Sequence, residues 1–325
     1  MFSNLPRLHL AHLPTPLEAM PRLSETLGGP RLWIKRDDQT GLATGGNKTR
    51  KLEFLMADAL AHEADTVITT GAPQSNHCRQ TAAAAARHGV GCVLVLTGDD
   101  PGKVEGNILL DHLLGARLVF TGQRTRQEVM DEIAQAERSA RRIPYVIPVG
   151  GSVPLGAAAY ALAMLELQTQ METAGQRFDR IVFASGSGGT HAGLVAGAGL
   201  TGFRGEILGI SISQDPAALQ RNIAYLATGI GNLIDRPRSF SVEEIHINAS
   251  FRGEGYAVVG AQEREAIRLF AQNEGVLLDP VYTGRAAAGL IGLIRQGVIR
   301  RDEHVLFWHT GGTSGLFAFA DKLVD

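Results

Sequence analysis

Short apolar runs alternate with amphipathic stretches along most of the chain. β-branched and aliphatic runs predict strands at residues 32–36, 66–69, 92–96, 117–120, 145–147, 180–184, 206–212 and 305–308. Apolar residues at helical spacing predict helices from Asn47 onward, after residue 190, and at 74–87, 107–114, 124–141, 155–174, 261–272 and 285–295. Region 224–241 has weak periodicity and receives no assignment. Strands that alternate with helices favour parallel sheets joined by right-handed crossovers.

The alternation falls into two sets, with a break at Gly150-Gly151-Ser152. This predicts an α/β fold with two open parallel-sheet domains, the smaller inserted into the larger. The expected boundaries are 1–49 plus 159–325 for the large domain and 50–158 for the small one. Glycines at strand-to-helix junctions are typical of the ligand loops of α/β enzymes.

Composition narrows the function classes. The chain has 325 residues, a net charge of −2 and ordinary hydrophobic and charged fractions of 44% and 20%, so neither a nucleic-acid footprint nor a basic membrane patch is indicated. No apolar run reaches the ~18 residues of a membrane span, and no signal peptide is recognised. The two cysteines, Cys78 and Cys92, show no metal spacing. A cytoplasmic protein without a metal site is expected.

The segment from Thr44 to Phe54 combines two glycines with a predicted helix start. Lys48 lies on the apolar face that Leu52 defines, within the first turn. Burial and the positive end of the helix dipole both favour a neutral amine there, which suits a nucleophile or Schiff-base former. A lysine whose head reaches water is the alternative, and Lys51 on the next turn admits the same two interpretations.

A second loop, Ser185-Gly186-Ser187-Gly188-Gly189-Thr190, follows a predicted strand and precedes a helix. Its backbone N–H groups, its hydroxyls and the helix N-terminus can converge on one anion, which predicts a phosphate site. The loop lacks the lysine of an NTPase P-loop, and His191 stands where a dinucleotide fingerprint needs its third glycine. A tight turn whose glycines serve only packing is the alternative.

Gln74-Ser75-Asn76-His77 opens another predicted helix. Ser75 or Asn76 can simply cap that helix. The same helix start can also bind a substrate carboxylate and leave the Ser75 hydroxyl near the reacting carbon. His77 can act as a general acid or base, or it can be a surface histidine.

Two later segments add polar groups. In Asp279-Pro280-Val281-Tyr282-Thr283-Gly284, the Tyr282 phenol can transfer protons or merely pack. In His309-Thr310-Gly311-Gly312, the Thr310 hydroxyl can bond a ring nitrogen or belong to a plain turn. A candidate lysine, a phosphate loop, a carboxylate-binding helix start and a polar strand end together predict one cofactor, pyridoxal 5′-phosphate.

The segments 45–53, 74–77, 279–282 and 309–312 resemble the D-cysteine desulfhydrase and 1-aminocyclopropane-1-carboxylate deaminase family, and the resemblance spans nearly the whole chain. Members are pyridoxal-phosphate enzymes of fold type II, the tryptophan synthase β-subunit fold, and are usually homodimers. The resemblance therefore implies an enzyme that acts on a small amino acid.

The resemblance also implies roles for individual residues. Lys48 would be the Schiff-base lysine and Asn47 would bond the ring hydroxyl. The substrate carboxylate would be received by Ser75, Asn76 and His77, and the phosphate by residues 187–190. Tyr256 and Tyr282 would line the substrate side, with Tyr282 a candidate for proton handling.

The residue after Tyr282 bears on the reaction. Ring-opening deaminases of the family carry a glutamate there, beside the pyridine nitrogen, whereas this chain has Thr283. Without that carboxylate the electron sink is weaker, which favours β-elimination over ring opening. His77 also matches the desulfhydrases, since the deaminases usually have glutamine. The predicted reaction converts D-cysteine to pyruvate, ammonia and sulfide.

Other activities stay open at this point. L-cysteate sulfo-lyase, which releases sulfite, is similar to this chain at 12–18, 40–42 and 253–256, while the loop Ser213-Gln214-Asp215-Pro216 differs from both enzymes. 1-Aminocyclopropane-1-carboxylate deaminase is a further alternative. A phosphate- or nucleotide-binding protein without catalysis is the alternative from another class.

Overall fold

The computed structural model describes residues 2–212 and 214–324. Its strands are β1 (Leu17–Ala19), β2 (Arg31–Arg36), β3 (Thr66–Gly71), β4 (Gly91–Leu96), β5 (Arg117–Phe120), β6 (Pro144–Ile147), β7 (Arg180–Ser185), β8 (Glu206–Ser211), β9 (His246–Asn248) and β10 (His304–His309). Its helices are α1 (Pro21–Thr26), α2 (Lys48–Ala61), α3 (Asn76–Arg87), α4 (Gly106–Leu113), α5 (Arg126–Ser139), α6 (Pro154–Ala174), α7 (Gly189–Thr201), α8 (Pro216–Leu233), α9 (Ala261–Glu274), α10 (Thr283–Arg295), α11 (Thr313–Leu316) and α12 (Ala320–Leu323).

These strands form two sheets. A six-stranded sheet has the order β1-β2-β10-β7-β8-β9, and a four-stranded sheet has the order β5-β4-β3-β6. Every neighbouring pair is parallel except β1 and β2. Helices cover the faces of both sheets, so the central strands are near-continuous apolar runs. The predicted class, α/β with two parallel sheets, is confirmed.

The last strand of the chain enters the middle of the larger sheet. In β10, Phe307 pairs with Ile34 of β2 on one side and with Val182 of β7 on the other. The loops that follow these parallel strands therefore emerge side by side at one edge. Open α/β sheets bind ligands at such an edge.

Helix α2 is anchored to the larger sheet by a buried ion cluster of Lys35, Asp37, Arg50 and Glu166. Arg50 pairs with Asp37 at 2.9 Å and with Glu166 at 2.9 Å, and Lys35 also pairs with Glu166. Burial alone would raise the pKa of Asp37, but Arg50 and Lys35 outweigh it and hold that pKa at about 2. Because Arg50 lies on the first turn of α2, the cluster also fixes the position of Lys48.

One helix was left unassigned by the sequence pattern. Helix α8 covers residues 216–233, and its Asp215 cap accepts a hydrogen bond from the Ala218 N–H at 2.8 Å. Leu219, Ile223 and Ile230 form its buried face. The short elements β1, α1, β9, α11 and α12 were not predicted either.

No helix in the described part of the chain combines the length and the apolar character that crossing a bilayer requires. Cys78 and Cys92 are both free thiols and both buried.

Candidate active site

A cavity of about 370 Å³ lies where the carboxyl ends of strands from both sheets meet. Its wall includes Gly71 at the end of β3, Thr97 after β4, Ser185 at the end of β7, Ile212 after β8 and Thr310 after β10. The structure brings eleven of the twelve predicted site residues to this wall: Asn47, Lys48, Ser75, Asn76, His77, Ser187, Gly188, Thr190, Tyr256, Tyr282 and Thr310. The twelfth, Gly189, lies directly behind it.

Lys48 is the first residue of α2 and points into the cavity. Burial lowers the pKa of Lys48 to about 8, although the charge of Asp279 raises it in part. An appreciable fraction of the amine is therefore neutral near neutral pH, as a nucleophile requires.

Asn47 joins the lysine to the loop from Ser185 to Thr190, which the sequence predicts to bind phosphate. Its side-chain Oδ1 accepts a hydrogen bond from Lys48 Nζ at 3.0 Å, and its Nδ2 donates to Thr190 Oγ1 at 2.9 Å. Its backbone N–H donates to the Thr310 carbonyl at 2.9 Å. Three predicted segments, far apart in sequence, therefore meet at a single buried asparagine.

The loop from Ser185 to Gly188 leads from β7 into α7. Gly188 has a φ of +89°, a left-handed conformation that glycine adopts without strain, and it turns the chain into the helix. The Gly189 N–H donates to Ser152 Oγ at 3.2 Å, and Ser152 Oγ donates to Ser187 Oγ at 2.7 Å. The helix N-terminus thus presents its N–H groups and hydroxyls to an oxygen-bearing group.

Lys51 lies behind this phosphate loop. A Cβ placed on Gly189 would come within 2.8 Å of Lys51 Nζ and 2.7 Å of Ser152 Oγ. The Nζ donates to the Gly150 carbonyl at 3.1 Å. Burial, with a smaller effect of Lys48, lowers the pKa of Lys51 well below its ordinary value. An anion in the loop would supply the opposite charge that this buried amine lacks.

The start of α3 forms another part of the wall. Ser75 caps the helix, because its Oγ accepts from the Cys78 N–H at 3.2 Å. Asn76 Oδ1 accepts from Asn107 Nδ2 at 2.9 Å, which holds its side chain against α4. The backbone N–H groups of this first turn remain the natural partners of a carboxylate.

His77 is buried, so the interpretation as a surface histidine is wrong. Thr69 Oγ1 donates its proton to the Ile147 carbonyl at 2.7 Å and lies 2.8 Å from His77 Nε2. His77 must therefore donate through Nε2, which leaves Nδ1 as an acceptor without a partner among the described residues. Burial, then the charges of Lys48 and Lys51, lower the pKa of His77 well below its usual value, so the ring is neutral.

Two tyrosines form the opposite side of the cavity. The hydroxyls of Tyr256 and Tyr282 lie 2.8 Å apart, and burial raises the pKa of Tyr282 well above its ordinary value. Asp279 positions this side, because its carboxylate accepts from the N–H groups of Val281, Tyr282 and Thr283 and from the Thr283 hydroxyl. Thr283 therefore faces Asp279 and not the cavity.

Thr310 completes the wall beside Asn47. A Cβ on Gly311 would come within 2.6 Å of Gly46 Cα, so the two loops pack backbone against backbone. Within the described residues, the Thr310 hydroxyl makes no hydrogen bond, and it is free to meet a ligand.

The residues present fit pyridoxal phosphate. The cavity has the volume of a small-cofactor site, and the pKa of its Lys48 amine is lowered. Asn47 links that amine by hydrogen bonds to Thr190, at a helix N-terminus that carries hydroxyl groups. A model of the family described as "Pyridoxal-phosphate dependent enzyme" matches residues 8–311. The chain belongs to this family. This pyridoxal-phosphate-dependent enzyme has fold type II, as its resemblance had indicated.

The enzyme is similar to its relatives over nearly its whole length. It is 43% identical to the D-cysteine desulfhydrase of Klebsiella pneumoniae (strain 342), across 99% of this chain and 98% of that one. It is 44% identical to the D-cysteine desulfhydrase of Salmonella newport (strain SL254), across 98% and 97%. A solved structure described as an ACC deaminase homologue superposes with a TM-score of 0.91 at 37% identity, covering 99% and 97%.

Several residues in or next to the cavity wall carried little or no signal in the sequence. Ser152 was noted only as part of a break, and Lys51 only as a second lysine on the same helix face. Arg126 and Gln214 line the wall without any motif around them. Ser213, in the loop that differs from the related enzymes, lies outside the described residues.

Proposed function

We propose that the enzyme catalyses the β-elimination of a sulfur-bearing amino acid, with D-cysteine converted to pyruvate, ammonia and hydrogen sulfide. The full-length similarity to two D-cysteine desulfhydrases supports this substrate. The observation that carries the proposal is the half-buried Lys48 amine, with its pKa of about 8, in the same cavity wall as the Tyr256–Tyr282 pair.

When bound, pyridoxal phosphate supplies an electron sink that stabilises negative charge at the α-carbon of an amino acid. In our proposal Asn47, Ser187, Thr190 and Thr310 hold it, with the Gly188 N–H and the Lys51 amine on its anionic end. Hydroxyls and a helix N-terminus suit a phosphate for the reasons given above.

The chain's own groups then bind the substrate and move protons. The first turn of α3, from Ser75 to His77, binds the α-carboxylate through backbone N–H groups. The His77 ring does not donate to it, since its one N–H is already directed to Thr69. Lys48, partly neutral at its pKa of about 8, takes up and returns a proton at Nζ. The Tyr282 hydroxyl, held by Tyr256, is the second proton-handling group.

The environment of Thr283 favours elimination over ring opening. Its hydroxyl donates to Asp279 Oδ1 at 2.8 Å, and no carboxylate is found among the described residues of the cavity wall. A ring nitrogen beside the Thr310 hydroxyl would meet a neutral partner, which keeps the electron sink moderate and suits the departure of a good leaving group.

A second candidate is the elimination of sulfite from L-cysteate. The observation that favours it is the cationic side chain of Arg126 in the cavity wall. No comparable observation favours a nucleotide-binding protein, because the chain belongs to an enzyme family.

The experiment is pyruvate release by the purified, cofactor-loaded enzyme from D-cysteine, L-cysteine, L-cysteate, β-chloro-D-alanine and 1-aminocyclopropane-1-carboxylate, with Lys48→Ala as the inactive control. Among the substrates without a sulfonate group, we expect D-cysteine to have the highest kcat/KM. A higher kcat/KM for the cyclopropane amino acid would contradict the argument from Thr283.

The oligomeric state and the domain boundaries are proposals as well. We propose a homodimer, because Leu109, Leu113 and Phe317 are exposed apolar side chains on contacting elements. Light scattering of Leu113→Asp beside the wild type tests the homodimer, and we expect the variant to be monomeric.

The two buried thiols suit a cytoplasmic enzyme. The division into 1–49 with 159–325 and 50–158 assigns one sheet to each domain.

A further inference from the structure

The turn that precedes Lys48 has a strained backbone. Residues 43–46 have φ values of +42°, +70°, +70° and +122°, so four consecutive residues lie in the left-handed region. Ala43 and Thr44 are not glycines, and a side chain in that region costs free energy unless neighbouring groups hold the backbone in place. The turn continues through Asn47 directly to Lys48. A shift of this turn would therefore displace the amine.

Arg79 of α3 holds the turn from the other side. Its guanidinium donates to the carbonyls of Ala43 and Gly45 and, at 2.7 Å, to the Thr44 hydroxyl. A guanidinium carries five N–H donors in a rigid planar fork, so it can fix several oxygens in set directions at once, which a lysine ammonium cannot do. One side chain of α3 thus fastens three consecutive residues of the strained turn.

The stability of the packed interior does not explain an arginine at this position. Arg79 is fully buried, and burial lowers its pKa to about 10, although the charge of Asp111 raises it in part. In the described part of the chain Arg79 forms no ion pair, and its Nε has no hydrogen-bond partner. Burying a charge without a paired carboxylate is costly, and an apolar side chain would fill the space at a lower cost. What the guanidinium adds is its hold on the turn.

The next residue, Gln80, holds the chain on the other side of Lys48. Its Oε1 accepts from the Thr49 N–H at 2.8 Å and from the Thr49 hydroxyl at 3.0 Å, and its Nε2 donates to the Asn76 carbonyl at 2.9 Å. A Cβ on Gly46 would come within 2.7 Å of that Nε2, so Gln80 also packs against the turn. Thr49 lies on the first turn of α2 and Asn76 on the first turn of α3. Gln80 therefore links the two helix starts.

We propose that Arg79 and Gln80 are positioning residues for Lys48. Arg79 holds the strained turn before the amine, and Gln80 holds the helix turn after it. Neither residue is part of the cavity wall, so both act through the backbone of residues 43–49 and not by touching the substrate. Both belong to α3, so an amino acid whose carboxylate binds at the start of α3 is held by the same helix that aligns the amine. This proposal rests on the proposed role of Lys48 as the reactive amine.

Hydrogen exchange of the cofactor-free protein, read by mass spectrometry, tests the turn without any chemistry. The variants are Arg79→Met, Arg79→Lys and Gln80→Met, and the matched control is Arg87→Met, which replaces an exposed arginine in the last turn of the same helix. In Arg79→Met we expect the amides of residues 41–50 to exchange faster by about 10-fold or more, beyond any change in residues 206–211 of β8. Arg79→Lys and Gln80→Met should show smaller increases, and Arg87→Met should resemble the wild type.

Turnover per cofactor-loaded site is the readout that a merely structural role would not move. In Arg79→Met, kcat for the best substrate should fall by about 10-fold or more, with KM within about 3-fold of the wild type. Arg79→Lys should recover part of that loss. The rate at which Lys48 captures pyridoxal phosphate should fall in parallel, by about 10-fold. If Arg79→Met does not fold, Arg79→Lys and Gln80→Met provide the same measurements.

Two results would overturn the proposal. One is an exchange rate at residues 41–50 that rises no more than the rate at 206–211. The other is a kcat per loaded site within about 3-fold of the wild type in every folded variant of Arg79 and Gln80. If the wild type releases pyruvate from no substrate, but exchange and pyridoxal phosphate capture still depend on Arg79, the proposed function fails and the positioning of Lys48 stands.

Discussion

Asp279 links the stability of the site to the reactivity of its lysine. The residue is 2% exposed, and it accepts four hydrogen bonds: Oδ1 from the Thr283 N–H at 2.9 Å and the Thr283 hydroxyl at 2.8 Å, Oδ2 from the Val281 N–H at 3.0 Å and the Tyr282 N–H at 2.8 Å. Its charge also raises the pKa of Lys48. Replacing it with asparagine keeps the shape and removes the charge.

The structure sets the expected magnitude. An asparagine has a single acceptor oxygen, so in either orientation at least one buried backbone N–H loses its partner. The hydrogen bonds that remain become weaker, because their acceptor no longer carries a negative charge. Hydrogen bonds to charged groups contribute ~1.5–3 kcal/mol each, so Asp279→Asn should lower the free energy of unfolding by about 2–4 kcal/mol. Without the Asp279 charge, the pKa of Lys48 should fall below about 8.

Urea unfolding of the cofactor-free protein measures the change in the free energy of unfolding. The change in the pKa of Lys48 is measured by the pH dependence of pyridoxal phosphate capture, which borohydride fixes and mass spectrometry detects. Thr283→Ser keeps the hydroxyl and should cost less than about 1 kcal/mol, so it is the matched control. The reasoning is refuted if Asp279→Asn changes the unfolding free energy by under about 1 kcal/mol and leaves the midpoint of capture where it was.

Three further predictions concern Lys48, Lys51 and Ser75. Capture by the wild type should rise with pH through about 8 and then level off, because burial lowers the pKa of Lys48 and the neutral amine is the reactive form; a midpoint near the ordinary 10.5 would contradict this. Lys51→Met should weaken the binding of pyridoxal phosphate by about 10- to 100-fold and leave unphosphorylated pyridoxal unchanged; equal weakening of both would remove Lys51 from the phosphate site. Ser75→Ala should cost about 1 kcal/mol in urea unfolding through the lost helix cap and should also reduce kcat, whereas Ser75→Thr should keep the cap; full activity of Ser75→Ala would limit Ser75 to capping.

Much of the fold was predictable because parallel strands bury both faces. Such strands are plain apolar runs, and the predicted 66–69 lies within β3, whose six residues are all buried. Helix α8 was not predicted, and the reason is local in the sequence. Its start signal, Asp215-Pro216, lies well before the unassigned region, and Thr228, Gly229 and Gly231 weaken the helical signal near its end. The three-residue strands β1 and β9 are too short to show any period.

The cavity was predictable where chemistry is local in sequence. The phosphate loop and the start of α3 each combine a strand end, a turn and a helix N-terminus within a few residues. Arg126 had no such signal, because Tyr256, the cavity residue whose pKa its charge lowers, lies far along the chain from it. The same holds for Ser152, whose partners are Ser187 and Gly189, and for the tautomer of His77, which Ile147 determines through Thr69.

A cavity wall that offers N–H groups, hydroxyls and cations, with no acid among its described residues, has a practical consequence for enzymology. Small oxyanions from the solution can bind the same groups, so we expect phosphate and sulfate to act as weak inhibitors of both cofactor loading and turnover. Kinetic constants measured in those buffers will understate affinity. A zwitterionic amine buffer with chloride as the counter-ion gives the truer comparison between substrates.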